Sequence, residues 1–200
     1  MTRPPRPSLF YSFVAAISWP VARFAFRFKA LGTEHLPASG GYVLAAGHVS
    51  NLDPWLLGLP LWPSRFLRFM AKSELFWFPL GSAIAAAGAF KVHRGRADRA
   101  AIQTAVELAR DGHVIAMFPE GTRRRKGIRK KFSASAHSGA ARIAIEAGVP
   151  LIPAGIKGTN GLSRLERWRV RFGEPVELSD DAAETTERLM AAIRVLEESL

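Results

Sequence analysis

The chain has 200 residues, of which 48% are hydrophobic, and it contains no cysteine. This length is enough for one domain with a sizeable core, and the composition excludes a disordered chain, disulfides, thiolate metal sites and a cysteine nucleophile. The formal net charge of +11 favours an anionic partner, whether nucleic acid, anionic lipid or a phosphorylated substrate. The acidic side chains concentrate in residues 174–200, so the positive excess belongs to the rest of the chain.

Residues 8–22, SLFYSFVAAISWPVA, form an apolar stretch between basic residues near the N-terminus. The stretch falls short of the roughly 20 apolar residues that a spanning helix needs. It is compatible with a signal peptide, a core helix or an interfacial anchor, but Pro20 stands where a small residue should precede a signal-peptide cleavage site. Aromatic side chains suit the headgroup region and arginines suit lipid phosphates. We therefore predict a membrane-anchoring helical segment over residues 1–27 and an α/β domain over residues 28–200.

The remainder of the chain alternates between predicted strands and predicted helices. Short apolar runs bounded by glycine or proline predict strands, and amphipathic segments ended by glycine predict helices. The predicted strands are residues 27–31, 41–47, 65–72, 90–94, 113–118 and 149–158, followed by an extended pair over 168–178. The predicted helices are residues 51–60 with Asn51 as the cap, 75–90 as a buried or membrane-facing helix, 98–112, 138–148 and 181–200. This alternation predicts an α/β fold with a central, largely parallel mixed sheet flanked by helices, preceded by the N-terminal membrane-associated segment.

The stretch AAGHVSNLDPW, residues 45–55, sets His48 five residues before Asp53. On one straight helix that spacing would separate the two side chains by about 140°, so they can meet only if His48 precedes the helix and Asp53 lies in its first turn. Asp53 would then accept a hydrogen bond from one ring nitrogen and leave the other nitrogen basic. Ser50 lies between the two without a nucleophile-elbow motif. The pattern therefore predicts that a substrate hydroxyl, deprotonated by His48, is the nucleophile.

Two further stretches carry candidate anion ligands. FPEGTRRR, residues 118–125, gathers backbone amides, the Thr122 hydroxyl and Arg123 around one turn, which suits a phosphate. A loop with a solvated charge run is the alternative interpretation. FKVHRGRADR, residues 90–99, sets Arg94 and Arg96 just after a predicted strand, so both could reach the same edge of the sheet.

The run RRRKGIRKK, residues 123–131, indicates a nucleic-acid or membrane patch. It lacks the interleaved aromatic residues of a single-strand binder, and the chain has no helix-turn-helix or zinc-finger spacing. The histidines at positions 35, 113 and 137 have no carboxylate at a metal-site spacing, and we predict no metal.

The order of four motifs is more informative than any one of them. GHVSNLDPW precedes GAFKVHRG, then FPEGTRRR, then VPLIPAGI, over about residues 28–176. This order resembles the glycerolipid acyltransferase family typified by 1-acyl-glycerol-3-phosphate acyltransferase. The resemblance implies transfer of a fatty acyl chain from acyl-CoA or acyl-carrier protein, as co-substrate with no bound cofactor, to the free hydroxyl of 1-acyl-glycerol-3-phosphate, giving phosphatidic acid.

The resemblance also implies the roles of individual residues. It implies that His48 is the general base and that Asp53 orients it. It implies an acceptor-phosphate site, corresponding here to Arg94, Glu120, Gly121, Thr122 and Arg123. The fourth motif, Val149 to Pro153, is expected to shape the acyl site or the sheet edge.

The implied partners are a membrane lipid acceptor, an acyl carrier protein or coenzyme A thioester and an anionic membrane surface, with no nucleic acid. The implied location is the cytoplasmic face of the cell membrane, monotopic or peripheral. The chain has Gly47 where the family often has asparagine. The family also often has a basic residue just before the helix that begins with GAAR, whereas this chain has SASAHSGAARIA, with His137 and Ser138, at that place. An acyltransferase for a different lysolipid or lipid-linked acceptor is therefore the alternative. A basic nucleic-acid-binding protein is the remote alternative, because it leaves the N-terminal segment and the His48–Asp53 pair unexplained.

Overall fold

A computed structural model describes residues 6–92, 99–120, 137–161 and 164–200. Within these residues, seven strands form one sheet in the order β1-β7-β6-β2-β5-β3-β4. The strands are β1 (Lys29–Leu31), β2 (Tyr42–Ala46), β3 (Leu67–Lys72), β4 (Ala89–Val92), β5 (Val114–Met117), β6 (Leu151–Lys157) and β7 (Arg169–Phe172). The helices are α1 (Leu9–Phe24), α2 (Asp53–Gly58), α3 (Leu80–Ala86), α4 (Arg99–Arg110), α5 (Gly139–Ala147) and α6 (Ala182–Glu198).

The sheet is mixed but largely parallel, as predicted. Strands β4, β3, β5, β2 and β6 are parallel neighbours, whereas β7 runs antiparallel to β6 and pairs in parallel with β1. The carboxyl ends of the five parallel strands therefore share one edge, called here the carboxyl edge, together with the amino ends of β1 and β7. Loops at the carboxyl ends of strands form the ligand sites of open α/β sheets.

Strand β2 is buried on both faces because it lies in the middle of the sheet. Tyr42, Leu44 and Ala46 belong to one apolar cluster, and Val43 and Ala45 belong to the other. Alternate residues of a strand point to opposite faces, so the two clusters lie on the two sides of the sheet. Residues of α1 and α2 contribute to the first cluster, and residues of α4, α5 and α6 contribute to the second.

Helix α1 buries one face and exposes the other. Tyr11 packs against Trp55 and Phe66, with ring centroids 5.2 and 5.6 Å apart, and Ser18 Oγ accepts a hydrogen bond from the Trp55 indole. The exposed side carries a stripe of large apolar side chains at helical spacing, formed by Phe10, Phe13, Ile17, Val21 and Phe24. Pro20 lies inside the helix. No helix in the described part of the chain reaches the length and hydropathy needed to cross a bilayer.

Three local predictions are wrong. The predicted helix over 75–90 is helical only in α3, because Pro79 precedes the helix and Gly88, at φ +101°, turns the chain into β4. A Cβ on Gly88 would lie 2.2 Å from the Leu67 carbonyl oxygen, so this turn needs glycine. Residues 168–178 do not form an extended pair, because β7 pairs with β1 and β6 instead. The N-cap of α2 is Leu52 rather than Asn51.

A buried cationic cluster lies at the opposite, amino edge of the sheet. The guanidinium of Arg65 donates to the carbonyl oxygens of Pro37, Gly40 and Gly112. His113, which precedes β5, lies near Arg65 and Arg68. Desolvation by burial, followed by the positive charge of Arg68, lowers the pKa of His113, while Asp111 acts in the opposite direction.

This cluster predicts a loss of stability in mild acid. Because the pKa of His113 is lower in the folded protein than in the unfolded chain, the unfolded chain binds more protons as the pH falls below the ordinary histidine value near 6.5. The contribution of neutral His113 to the free energy of unfolding is therefore fully present above that pH and is lost as the pH falls toward the folded-state pKa. Urea unfolding between pH 8 and 5 should show a steeper decline for the wild type than for His113→Gln. Parallel curves would contradict this assignment.

Candidate active site

His48 and Asp53 meet at the carboxyl edge, at the centre of the sheet. Strand β2 ends at Ala46, His48 follows in the turn, and Asp53 is the first residue of α2. His48 Nδ1 lies 2.9 Å from Asp53 Oδ2. The contact forms because the chain turns between the strand and the helix, so the five-residue spacing closes a loop instead of following a helix face.

The Asp53 carboxylate is fully buried and surrounded by donors. Its Oδ2 accepts hydrogen bonds from the backbone amides of Val49 and Ser50, each at 2.7 Å, in addition to the contact with His48. Its Oδ1 accepts the Thr159 hydroxyl at 2.7 Å. A carboxylate with this arrangement of donors cannot rotate freely. It acts as acceptor toward Nδ1, which favours the tautomer with the proton on Nδ1 and a basic Nε2.

The His48 ring remains reachable from solvent. Its side chain is 17% exposed, and it stacks on Phe118, with ring centroids 4.3 Å apart and an interplanar angle of 26°. Phe118 follows β5, the strand beside β2. The ring is therefore fixed by a carboxylate at one nitrogen and by an aromatic face, as the predicted role of general base requires.

Thr159 is part of this site, although sequence reasoning did not identify it. It lies two residues after β6, which is the other neighbour of β2, and its side chain is buried. Gly158 precedes it at φ +92°, and a Cβ there would lie 2.2 Å from the Arg167 carbonyl oxygen. The signal in the sequence was a Gly–Thr pair at the carboxyl end of a buried strand.

The hydroxyl of Thr159 should act as a positioning group. Thr159→Val is close to isosteric and removes one hydrogen bond to a buried charge, worth about 1.5–3 kcal/mol. If His48 is the base, we expect kcat to fall roughly tenfold to hundredfold with little change in KM, because Thr159 holds Asp53 behind the base and lies away from substrate. Thr159→Ser keeps the hydroxyl and should restore most of the rate. Equal losses in both variants, or a loss confined to KM, would contradict the positioning role.

Ser50 has a structural place in the turn. Its amide binds Asp53, and its Oγ accepts the Leu52 amide at 3.2 Å. The turn before α2 is thus stabilised by Asp53 and Ser50, and the N-cap residue Leu52 supplies no side-chain hydrogen bond to the helix.

The remaining predicted site residues are only partly described. Glu120 lies three residues after β5 at the carboxyl edge and is half-buried. The His137 amide donates to the Pro119 carbonyl oxygen, so the chain returns to this edge before α5. Arg94, Gly121, Thr122 and Arg123, like the basic run at 123–131, lie outside the described residues.

The fourth motif lies inside the sheet. Strand β6 pairs with β2 on one side and β7 on the other, and Pro153 is opposite Ala45. The described residues contain no group of three or more His, Asp or Glu side chains that could hold a metal ion.

The fold and the site define an α/β protein with a histidine–aspartate pair at the carboxyl edge of a largely parallel sheet. A family model described as Acyltransferase matches residues 27–157. The chain belongs to the acyltransferase family, which confirms the predicted family and the predicted class of enzyme.

Individual relatives agree with this assignment. The 1-acyl-sn-glycerol-3-phosphate acyltransferase of Bacillus subtilis is 32% identical over 86% of this chain and 89% of its own length. The corresponding enzyme of Streptococcus pneumoniae is 33% identical over 74% of this chain and 55% of its own length. The human alpha enzyme is 35% identical over 65% of this chain. The chain spans most of the Bacillus protein but about half the length of the other two.

The fold has a solved counterpart. The crystal structure of the 1-acyl-sn-glycerophosphate acyltransferase PlsC from Thermotoga maritima matches with a TM-score of 0.69 over 94% of this chain and 80% of that one. The sequence identity is 24%, so this likeness bears on the fold alone.

Proposed function

We propose that the protein is a membrane-associated acyltransferase that moves a fatty acyl chain from an acyl thioester to the free hydroxyl of 1-acyl-glycerol-3-phosphate, giving phosphatidic acid. The observation that carries the proposal is the buried Asp53 carboxylate, which accepts four hydrogen bonds, one of them from His48 Nδ1 at 2.9 Å. The names of the relatives supply the acceptor class.

The proposed reaction needs one base and no covalent enzyme intermediate. His48 Nε2 takes the proton of the acceptor hydroxyl as its oxygen attacks the thioester carbonyl carbon. The resulting tetrahedral intermediate collapses, the carbon–sulfur bond breaks, and the proton passes from His48 to the departing thiolate. Asp53 stabilises the imidazolium that exists between the two transfers.

Acceptor recognition is proposed for the second and third motifs. Arg94 and Arg123 would neutralise the phosphate, the amide of Gly121 and the hydroxyl of Thr122 would donate to it, and Glu120 would bind an arginine or a hydroxyl. This assignment rests on the order of the motifs in the sequence. The donor is acyl-CoA or acyl-carrier protein.

Membrane association is proposed for residues 1–27. The exposed apolar stripe of α1 and the nearby Arg23 and Arg27 match an interfacial helix at an anionic surface. We propose a monotopic or peripheral protein at the cytoplasmic face of the cell membrane.

A direct transfer assay tests the function. The purified chain, mixed with lipid vesicles, is given labelled acyl-CoA or acyl-carrier protein and 1-acyl-glycerol-3-phosphate, and the lipid products are separated. Labelled phosphatidic acid is expected. Acceptors that lack the phosphate, tested in parallel, should react poorly. Transfer to those acceptors but not to 1-acyl-glycerol-3-phosphate would replace the proposed acceptor with another lysolipid.

A further inference from the structure

Two loops expose apolar side chains at the carboxyl edge. The first, residues 75–78, lies between β3 and α3, and its Trp77 and Phe78 are 58% and 86% exposed. Contiguous exposed apolar side chains are typical of a surface that contacts a protein partner or a membrane. Glu74, just before the loop, is the nearest acid in sequence.

The second loop, residues 164–167, combines apolar and basic groups. Leu165 is 56% exposed and has φ +48°, a left-handed conformation that a leucine rarely adopts. Arg164 and Arg167 are exposed on either side of it. The side chain of Glu166 turns back toward Gly161, where a Cβ would lie 2.1 Å from its Cδ. The outer surface of this loop is therefore basic and apolar.

The second loop is joined to the end of α1. Trp168 stacks on Phe26, with ring centroids 3.9 Å apart and planes 9° apart. Arg169 Nη1 donates to the Arg27 carbonyl oxygen at 2.7 Å. The loop is therefore anchored to the segment that directly follows the exposed Phe24 at the end of α1.

The topology sets the two loops on either side of His48. The first follows β3 and the second precedes β7, and each of these strands is two positions from β2 in the sheet. At a strand spacing of about 4.8 Å, each loop begins about 10 Å along the edge from the strand that carries His48. One broad, flat partner can contact both loops, whereas a small partner that covers one leaves the other exposed.

We propose that this carboxyl edge docks on an anionic phospholipid bilayer through both loops. The aromatic loop enters the interfacial region, and Arg164 and Arg167 bind lipid phosphates beside Leu165. His48 then faces the bilayer between the two contacts. The proposal rests on the membrane association proposed for α1 and adds an orientation to it. It is independent of the acceptor's identity.

The absence of cysteine allows a direct test of the orientation. Phe78→Cys, Leu165→Cys and Val195→Cys each introduce one thiol for an environment-sensitive fluorophore. Val195 is the matched control, since it is an apolar residue 65% exposed on α6, which packs on the opposite face of the sheet from α1. With vesicles of phosphatidylglycerol and phosphatidylcholine, probes at 78 and 165 should shift to the blue and be quenched by spin-labelled lipid, and the probe at 195 should not.

The outcomes separate this proposal from its rivals and from the proposed reaction. No response at 78 and 165 in protein that cosediments with vesicles would overturn it, and so would a response at all three positions. A response to acyl-carrier protein or to raised protein concentration, without vesicles, would assign the surface to a protein partner instead. The fluorescence, quenching and cosedimentation measurements do not depend on acyl transfer. They therefore test the docking surface even if the proposed reaction is not observed.

Substitutions measure the strength of each contact. Trp77→Ser with Phe78→Ser should weaken vesicle partitioning by about tenfold or more. Arg164→Gln and Arg167→Gln should each weaken it roughly fivefold at low salt, and Leu165→Asn removes the apolar group while tolerating the left-handed turn. Val195→Ser should bind as wild type does. Unchanged partitioning in the loop variants would contradict the docking surface.

Discussion

His48→Ala should reduce kcat by about 10²–10⁴-fold while the protein stays folded. In the proposed mechanism the imidazole held by the buried carboxylate takes the acceptor proton, and alanine leaves no atom to do so. The melting temperature should fall only modestly, because Asp53 loses one hydrogen bond but keeps those from Val49, Ser50 and Thr159. The measurement is initial-rate acyl transfer, with circular dichroism and a thermal melt on the same preparations.

His35→Ala is a suitable control for this substitution. The His35 ring contacts the Phe172 carbonyl oxygen at 3.1 Å, so its loss also removes one side-chain hydrogen bond. His35 follows β1, whose carboxyl end lies at the amino edge of the sheet, away from His48. The control should retain near-normal activity. Similar losses in both variants would indicate a general effect on the fold, and full activity of His48→Ala would exclude it as the base.

The contact between His48 and Asp53 was predictable because it is local. An apolar strand, a short polar turn and a proline at the helix start allow one arrangement in which residues five apart meet. Pro54 and the run before Gly47 supplied those constraints. The same local patterns correctly predicted most strands and the amphipathic helices α4, α5 and α6.

Thr159 was not predictable in the same way, because it is 106 residues from Asp53. The contact exists because β6 is a parallel neighbour of β2, and strand order is a non-local property of the sheet. The pairing of β1 with β7 is non-local for the same reason. The helix predicted over 75–90 was wrong because hydrophobicity alone does not distinguish a buried helix from an exposed aromatic loop, a short helix and an edge strand.

The strand order also explains why the site can be both rigid and accessible. Three adjacent strands, β5, β2 and β6, supply Phe118, His48 and Thr159 from their carboxyl ends. These strands are buried, so the side chains that follow them start from fixed backbone. The flanking loops at β3 and β7 are exposed and apolar. The proposed chemistry at the centre and the proposed docking at the sides thus use different parts of one edge.

Asp53→Asn should be nearly as damaging as loss of His48, for a different reason. The amide keeps the shape of the carboxylate but loses its charge, so the imidazolium formed during proton transfer is no longer stabilised. The asparagine can keep the two backbone hydrogen bonds only if its side-chain oxygen faces the amides of Val49 and Ser50, which sets its NH₂ group against the Thr159 hydroxyl. In the opposite orientation the NH₂ group faces both backbone N–H donors, and those hydrogen bonds are lost. For a buried aspartate behind a catalytic histidine, the same change in a serine protease lowers kcat by about 10⁴-fold. We expect a loss of roughly 10²–10⁴-fold here, no larger than that of His48→Ala.

This substitution should also lower the melting temperature, because hydrogen bonds to a buried charge are worth about 1.5–3 kcal/mol each. Asp181→Asn is the matched control. Asp181 caps α6 by accepting the Ala183 amide at 2.8 Å, and asparagine caps helices equally well. It should leave both activity and melting temperature near wild type. If Asp53→Asn lowers the melting temperature but keeps more than about a tenth of the activity, the carboxylate is structural.

If the Asp53 carboxylate acts through His48, the double variant His48→Ala/Asp53→Asn should be no slower than His48→Ala alone, because the base is already absent.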